Sequence, residues 1–301
     1  MLFEGDRTVI DLMRARREGR GDEARLMLFI TGGLMKGAYG AGAVIALEEA
    51  GCTDVFDHVV GVSCGAPIGA YFLAEDTRRG ASILCEECTT RAFISPWRFG
   101  KIVDDAYLDS VFRGATGKRI DAEAVLGHRS TFHVALTDSG SAHSLLVRPR
   151  TEEELFKTIQ SSVHVPGVCG SPLLYEGVSC VDGTFGTSYV LVRAVEELAP
   201  THLLIIANQE KADQNRPATL LERMLYKTVY RSMVSPPLYR SAVRRSCARG
   251  AAIGGLVANQ RDRMEVAAVW GDGSVSSFER SAQQMERAIE RSRTWWDERL
   301  A

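Results

Sequence analysis

The sequence predicts an α/β fold with a mostly parallel central sheet, and three observations carry that expectation. Continuous apolar runs of strand length recur along the chain, helical patterns separate them, and glycine-rich turns stand at the junctions. Length and composition fit one large globular domain or two small ones: 301 residues, 45% hydrophobic, 25% charged. With 36 basic and 38 acidic residues the formal charge is −2, so no global field favours nucleic acid, and none is expected as a partner. Seven cysteines without a framework spacing read as reduced thiols of a cytoplasmic protein.

In chain order, Val9, Ile10, Leu12 and Met13 gather on one side of a short helix, and Arg16 to Glu23 reads as a charged, glycine-broken linker. The acidic, arginine-rich opening is not a secretory signal, and no apolar run is long enough to span a membrane. Leu26 to Ile30 is a strand, followed by a helix from about Met35 to Ala50 with Gly51 at its C-terminal cap. Phe56 to Val62 is a second strand and Cys64 to Ala74 a second helix, rich in small residues. Gly80 to Gly127 reads as mixed helix and loop. Thr131 to Thr137 and Leu203 to Ala207 are further strands; Thr151 to Ser162 and Leu191 to Leu198 are further helices.

Chemistry concentrates in three blocks. Gly61-Val62-Ser63-Cys64-Gly65 has the G-x-S-x-G form between an apolar strand and a helix. A serine on such a turn projects its hydroxyl above the sheet, at the positive end of the helix dipole. The flanking Gly61 and Gly65 allow the turn and the close approach of helix to strand. Thr31-Gly32-Gly33-Leu34-Met35-Lys36-Gly37 is a second strand-to-helix loop, a source of backbone N–H donors for an oxyanion. It lacks the Lys-Ser/Thr ending of a phosphate-binding loop and the spacing of a dinucleotide fingerprint. Asp182-Gly183, at the end of an apolar segment, is the third; taken alone, it is first of all a turn dipeptide.

Together these blocks resemble the patatin-like phospholipases, whose pattern is G-G-G-x-[KR]-G, then G-x-S-x-G, then a distant D-G-[GA]. Here they stand as Gly32-Gly33-Leu34-Met35-Lys36-Gly37, Gly61 to Gly65 and Asp182-Gly183-Thr184. The resemblance covers about Leu26 to Ala207. It implies a three-layer α/β fold with a nucleophile elbow, and a Ser–Asp dyad in which Ser63 attacks and Asp182 takes its proton. Backbone N–H groups of Gly32, Gly33 and Leu34 would form the oxyanion hole, supported by Lys36, Gly37, Gly61, Gly65 and Gly183. The implied activity is hydrolysis of phospholipid or other acyl-ester lipids, without metal or other cofactor. Two positions depart from the pattern: Leu34 replaces the third glycine, and Thr184 follows Asp182-Gly183. A leucine is strained where φ must be positive, so a degenerate member that binds lipid or a partner without turnover stays open. The division that follows is residues 1–25 as N-terminal helix and linker, 26–210 as catalytic core, and 211–301 as a helical and strand extension of the same domain.

The histidines test a rival triad. With Asp182 as the acid, only His202 follows it in the order of an α/β-hydrolase. His164 keeps open a Ser–His acyl-carrier transferase, while His128, His133 and His143 show no metal spacing. Cys85 and Cys88 read as two thiols on a helix. From Arg216 to Arg249 eight basic residues face one acid, with Leu221, Met224, Leu225 and Tyr230 among them, broken at Pro236-Pro237. That segment reads either as an interfacial surface for anionic lipid, peripheral to the membrane, or as a solvated helix face. Trp295-Trp296 reads either as a membrane-interface pair or, as is expected, as a pair docked on the body.

Overall fold

The computed structural model describes residues 1–95, 97–98, 101–213, 235–258 and 264–301. Along the chain run β1 (Leu2–Gly5), α1 (Thr8–Arg17), β2 (Leu26–Ile30), α2 (Ala38–Glu49), β3 (His58–Val62), α3 (Gly65–Leu73) and α4 (Thr77–Glu86). There follow α5 (Asp105–Phe112), α6 (Ala122–Gly127), β4 (Thr131–Asp138), β5 (Ser144–Val147), α7 (Glu152–Val163), β6 (Leu173–Tyr175) and β7 (Val178–Asp182). The chain ends with α8 (Val190–Leu198), β8 (His202–Ala207), α9 (Pro236–Ala258), β9 (Glu265–Trp270) and α10 (Ala282–Leu300).

The sheet order is β1-β9-β8-β2-β3-β4-β7-β6, with β5 also on β4. Its middle, from β9 through β8, β2 and β3 to β4, is wholly parallel, and the antiparallel pairings lie toward the two ends. Every residue of β2 is buried, because both faces of the sheet are covered. Leu26, Leu28 and Ile30 join the larger core under α2, α3, α7 and α10, whereas Met27 and Phe29 join the smaller core under α8 and α9. Three layers result, as expected.

Local signals account for the helices. Thr151 caps α7 by accepting from the Glu154 N–H at 3.2 Å, and the Glu154 carboxylate takes the Arg150 N–H. Gly51, at φ 68°, ends α2 in the left-handed conformation a C-terminal cap needs. The stretch read as mixed helix and loop holds α4, α5 and α6.

Three features differ from the sequence reading. The helix α1 runs through Arg17, past the start of the expected linker. Arg16 closes that segment, bonding Asp22 and Asp57 and the carbonyls of Val55 and Ala24. The first residues form β1, whose antiparallel partner β9 lies near the far end of the chain. The segment before Asp182 is a hairpin, β6–β7, turned at Glu176-Gly177 with both φ values positive (47° and 80°).

Pro236-Pro237 opens α9, as proline suits a first turn. In the basic segment, Leu221, Met224, Leu225 and Tyr230 lie outside the described residues. Trp296 is buried and Trp295 packs against the core, with the Arg299 guanidinium stacked on its ring, so the pair docks on the body. Among the described residues no disulfide forms; Cys85 lies near the end of α4 and Cys88 just beyond it. Among the described residues, no helix is long and apolar enough to cross a membrane.

Candidate active site

The register of β4 assembles the site. Its residues Val134 and Ala135 pair with both β3 and β5, and Leu136 and Thr137 pair with both β5 and β7. A strand has two edges, so β3 and β7 share one, end to end. β3 stops at Val62 opposite Ala135, and β7 takes over with Asp182 opposite Leu136. Asp182 therefore arrives where β3 turns into Ser63.

Ser63 occupies that turn at φ 54°, a left-handed conformation that costs a non-glycine residue about 1–2 kcal/mol. The neighbouring glycines make the turn possible. A Cβ on Gly61 would sit 2.4 Å from the Ala66 Cα, and one on Gly65 would sit 2.2 Å from the Ile30 carbonyl oxygen. The Ser63 N–H donates to the Ser162 hydroxyl at 2.9 Å, and that hydroxyl donates to the Ala135 carbonyl at 2.8 Å. α3 begins directly behind the turn and presents its N-terminal dipole end there.

Asp182 is 1% exposed. Its N–H donates to the His164 carbonyl at 3.0 Å. Both the N–H and the hydroxyl of Thr184 donate to its Oδ1 at 2.8 Å. The Thr184 side chain, one of the two departures from the family pattern, thus orients the carboxylate. Gly183 is required by packing, since a Cβ there would lie 2.5 Å from the Ala135 carbonyl oxygen.

The glycine loop lies against both residues. A Cβ on Gly32 would be 2.7 Å from the Ser63 Cβ and 3.0 Å from the Thr184 methyl, so this position admits only glycine. Leu34, the other departure, adopts φ 53°. The loop therefore reaches the left-handed conformation without glycine, at a similar cost of about 1–2 kcal/mol. The N–H groups of Gly33 and Leu34 face the Cys64 thiol, beside Ser63. Burial, and then the charge of Asp182, push that thiol up to about 12, so Cys64 stays protonated at neutral pH. Gly37 makes room for its sulfur, 3.1 Å from a Cβ placed there.

Lys36 bonds Asp213 at 2.8 Å. Behind the loop, Asn208 accepts from the Gly40 N–H at 2.7 Å and donates to the Thr31 carbonyl at 2.5 Å, while the Gln209 amide donates to the Gly32 carbonyl. Sequence reasoning missed Ser162, Asn208 and Gln209. None of the three carries a local signal, because each acts on a residue far away in the chain.

An apolar cavity opens beside Ser63 and runs between Leu34, Met35, Cys64, Pro67, Ile68, Ile83, Leu84, Phe93, Leu108, Phe112 and Val163. A hydrocarbon chain suits such a lining.

The histidines stand apart. His202, His58 and His133 lie at or near the N-terminal ends of parallel strands, the opposite edge of the sheet from Ser63. A five-residue strand separates those edges by about 17 Å. The His164 ring turns to the Asp105 carboxylate, 3.0 Å from Nδ1, and does not line the cavity.

The chain is similar to known proteins in sequence family and in fold. Residues 28–194 match the sequence model of the family described as Patatin-like phospholipase. Among solved structures, VipD from Legionella pneumophila is similar in fold, with a TM-score of 0.50 at 13% identity, over 93% of this chain and 67% of that one. No curated protein matches the chain.

Proposed function

We propose, from the premise that this chain belongs to the patatin-like phospholipase family, that it hydrolyses carboxyl esters of lipids through an acyl-enzyme on Ser63, with Asp182 as the base. The family hydrolyses lipid acyl esters. The observation that carries the reading here is the shared edge of β4, which brings Asp182 to the turn that holds Ser63.

The steps follow from the groups present. The substrate acyl chain enters the apolar cavity and the ester carbonyl lies over the Ser63 hydroxyl. Ser63 Oγ attacks the carbonyl carbon as its proton passes to the Asp182 carboxylate. The oxygen gains negative charge and accepts from the Gly33 and Leu34 N–H groups, donors fixed before the reaction begins. The tetrahedral adduct collapses, the C–O bond to the alcohol breaks, and Asp182 returns the proton to the leaving oxygen. Water repeats the sequence on the acyl-enzyme and releases the fatty acid. A carboxylate is a weak base, so the proton must move in concert with bond formation.

Two further elements belong to this proposal. The head group remains outside the cavity, where phospholipid is one member of the substrate class. The eight basic residues between Arg216 and Arg249 favour contact with an anionic membrane surface.

The test is hydrolysis of a short-chain chromogenic ester and of phospholipid vesicles by the parent chain, Ser63→Ala and Asp182→Asn. The expected result is turnover by the parent and a loss of at least about 10³-fold in each variant. Activity that survives Asp182→Asn would place the base elsewhere. A parent as inactive as its variants, yet binding the vesicles, would favour the non-catalytic reading.

A further inference from the structure

Beyond the Ser63 centre, one buried cluster gathers three groups of ligand chemistry that ester hydrolysis does not use. Asp105 opens α5, His164 follows the last turn of α7, and Cys169 lies in the turn after it; all three are no more than 3% exposed. One ligand atom from each lies within 4.8 Å of the other two. Asp105 Oδ2 is 3.0 Å from His164 Nδ1 and accepts from the Gln160 amide at 3.4 Å. His164 Nε2 is buried with no hydrogen-bond partner. A buried imidazole nitrogen left in that state carries an uncompensated desolvation cost. Lys101, a nearby cation, is engaged by Asp104 at 2.8 Å.

We propose that Asp105, His164 and Cys169 form a binding site for a divalent cation of the zinc type, with water as the fourth ligand. The donor set selects the metal: one thiolate, one imidazole and one carboxylate suit zinc, whereas oxygen-only sites suit magnesium or calcium. Tetrahedral coordination at zinc bond lengths separates ligand atoms by about 3.3–3.8 Å, so the three side chains need only small shifts to close on an ion. Binding releases the Cys169 proton to solvent, because only the thiolate ligates. Local spacing could not announce this site, since Asp105 and His164 are 59 residues apart.

The position gives the ion a consequence. It would tie the start of α5 to the end of α7, and the His164 carbonyl there receives the Asp182 N–H at 3.0 Å. The cation would thus stiffen the segment on which the carboxylate rests, without touching substrate.

The experiment uses the full chain, stripped with a chelator and titrated with Co²⁺, then with Zn²⁺ in competition. The expected result is one Co²⁺ per chain, with a thiolate-to-cobalt charge-transfer band and the intense visible bands of tetrahedral cobalt, both erased by Zn²⁺. Cys169→Ser removes the thiolate band, and His164→Gln weakens binding on the order of 100-fold or more. Cys52→Ser and Cys85→Ser, thiols outside the cluster, leave spectrum and stoichiometry unchanged. Should Cys169→Ser fail to fold, Asp105→Asn decides, since it keeps a hydrogen-bonding partner for the imidazole while removing the anionic ligand; it too is expected to weaken binding. A parent without the thiolate band at saturating Co²⁺, or a band that survives Cys169→Ser, overturns the site and leaves a plain buried His–Asp pair.

Discussion

The Ser63 N–H donates to the Ser162 hydroxyl, which lies in the last turn of α7 and itself donates to the Ala135 carbonyl on β4. A single hydroxyl thereby fixes the left-handed residue to both the helix and the strand beneath it. Ser162→Ala leaves a buried N–H and a buried carbonyl without partners, a cost of about 1–3 kcal/mol. We expect the midpoint of denaturant unfolding to fall accordingly, and kcat for ester hydrolysis to drop about tenfold with KM little changed. An equal rise in KM with kcat intact would assign Ser162 to substrate binding instead.

Thr184 gives Asp182 Oδ1 two hydrogen bonds, and Thr184→Val removes the hydroxyl one while preserving shape. A hydrogen bond to the charged form lowers a carboxyl pKa, so its loss raises it. The acidic limb of the kcat/KM profile is expected to move to higher pH. A limb that stays in place would show that Asp182 does not govern it.

Leu34 holds φ 53° as a non-glycine residue and lines the cavity. Leu34→Gly relieves about 1–2 kcal/mol of backbone strain but gives up part-buried apolar surface of similar worth. Stability should change by less than about 1 kcal/mol, and hydrolysis should persist, because the backbone donor remains. The wider cavity should shift preference toward bulkier acyl groups, read from relative kcat/KM over an ester series. Complete loss of turnover would make the leucine side chain itself essential.

His133 is 7% exposed and faces His58 at 3.4 Å; burial first, then the neighbouring histidine, pull it down to about 4. A histidine depressed in the folded state binds its proton more readily when unfolded, so stability falls as pH drops from 6.5 through 4. The loss from this residue is about 3 kcal/mol when complete. Urea midpoints measured at pH 7 and pH 4.5 should show it, and His133→Phe should flatten the slope. An unchanged slope in that variant would move the acid sensitivity to other groups.

What the sequence disclosed and what it hid divide along the range of the interactions. Gly61, Ser63 and Gly65 are legible because strand, turn and helix follow one another within a few residues. Gly51 and Thr151 mark helix ends for the same reason, and α2 and α7 appear nearly where expected. β1 escapes because its four residues become a strand only against β9, across almost the whole chain. Ser162 and Asn208 escape likewise: each is a polar residue whose partner is set by topology, not by spacing. Thr184 was visible only as a deviation, and its bonds to Asp182 explain why a threonine serves there.

The end-to-end arrangement of β3 and β7 on β4 also orders events during synthesis. A ribosome exposes Ser63 with its strand and helix long before the hairpin that carries Asp182 has been made. Until β7 docks on Leu136, the nascent chain holds a serine without a carboxylate beside it. The pair is assembled by the completion of a sheet, so a product truncated before that hairpin lacks the carboxylate that the proposed hydrolysis would use.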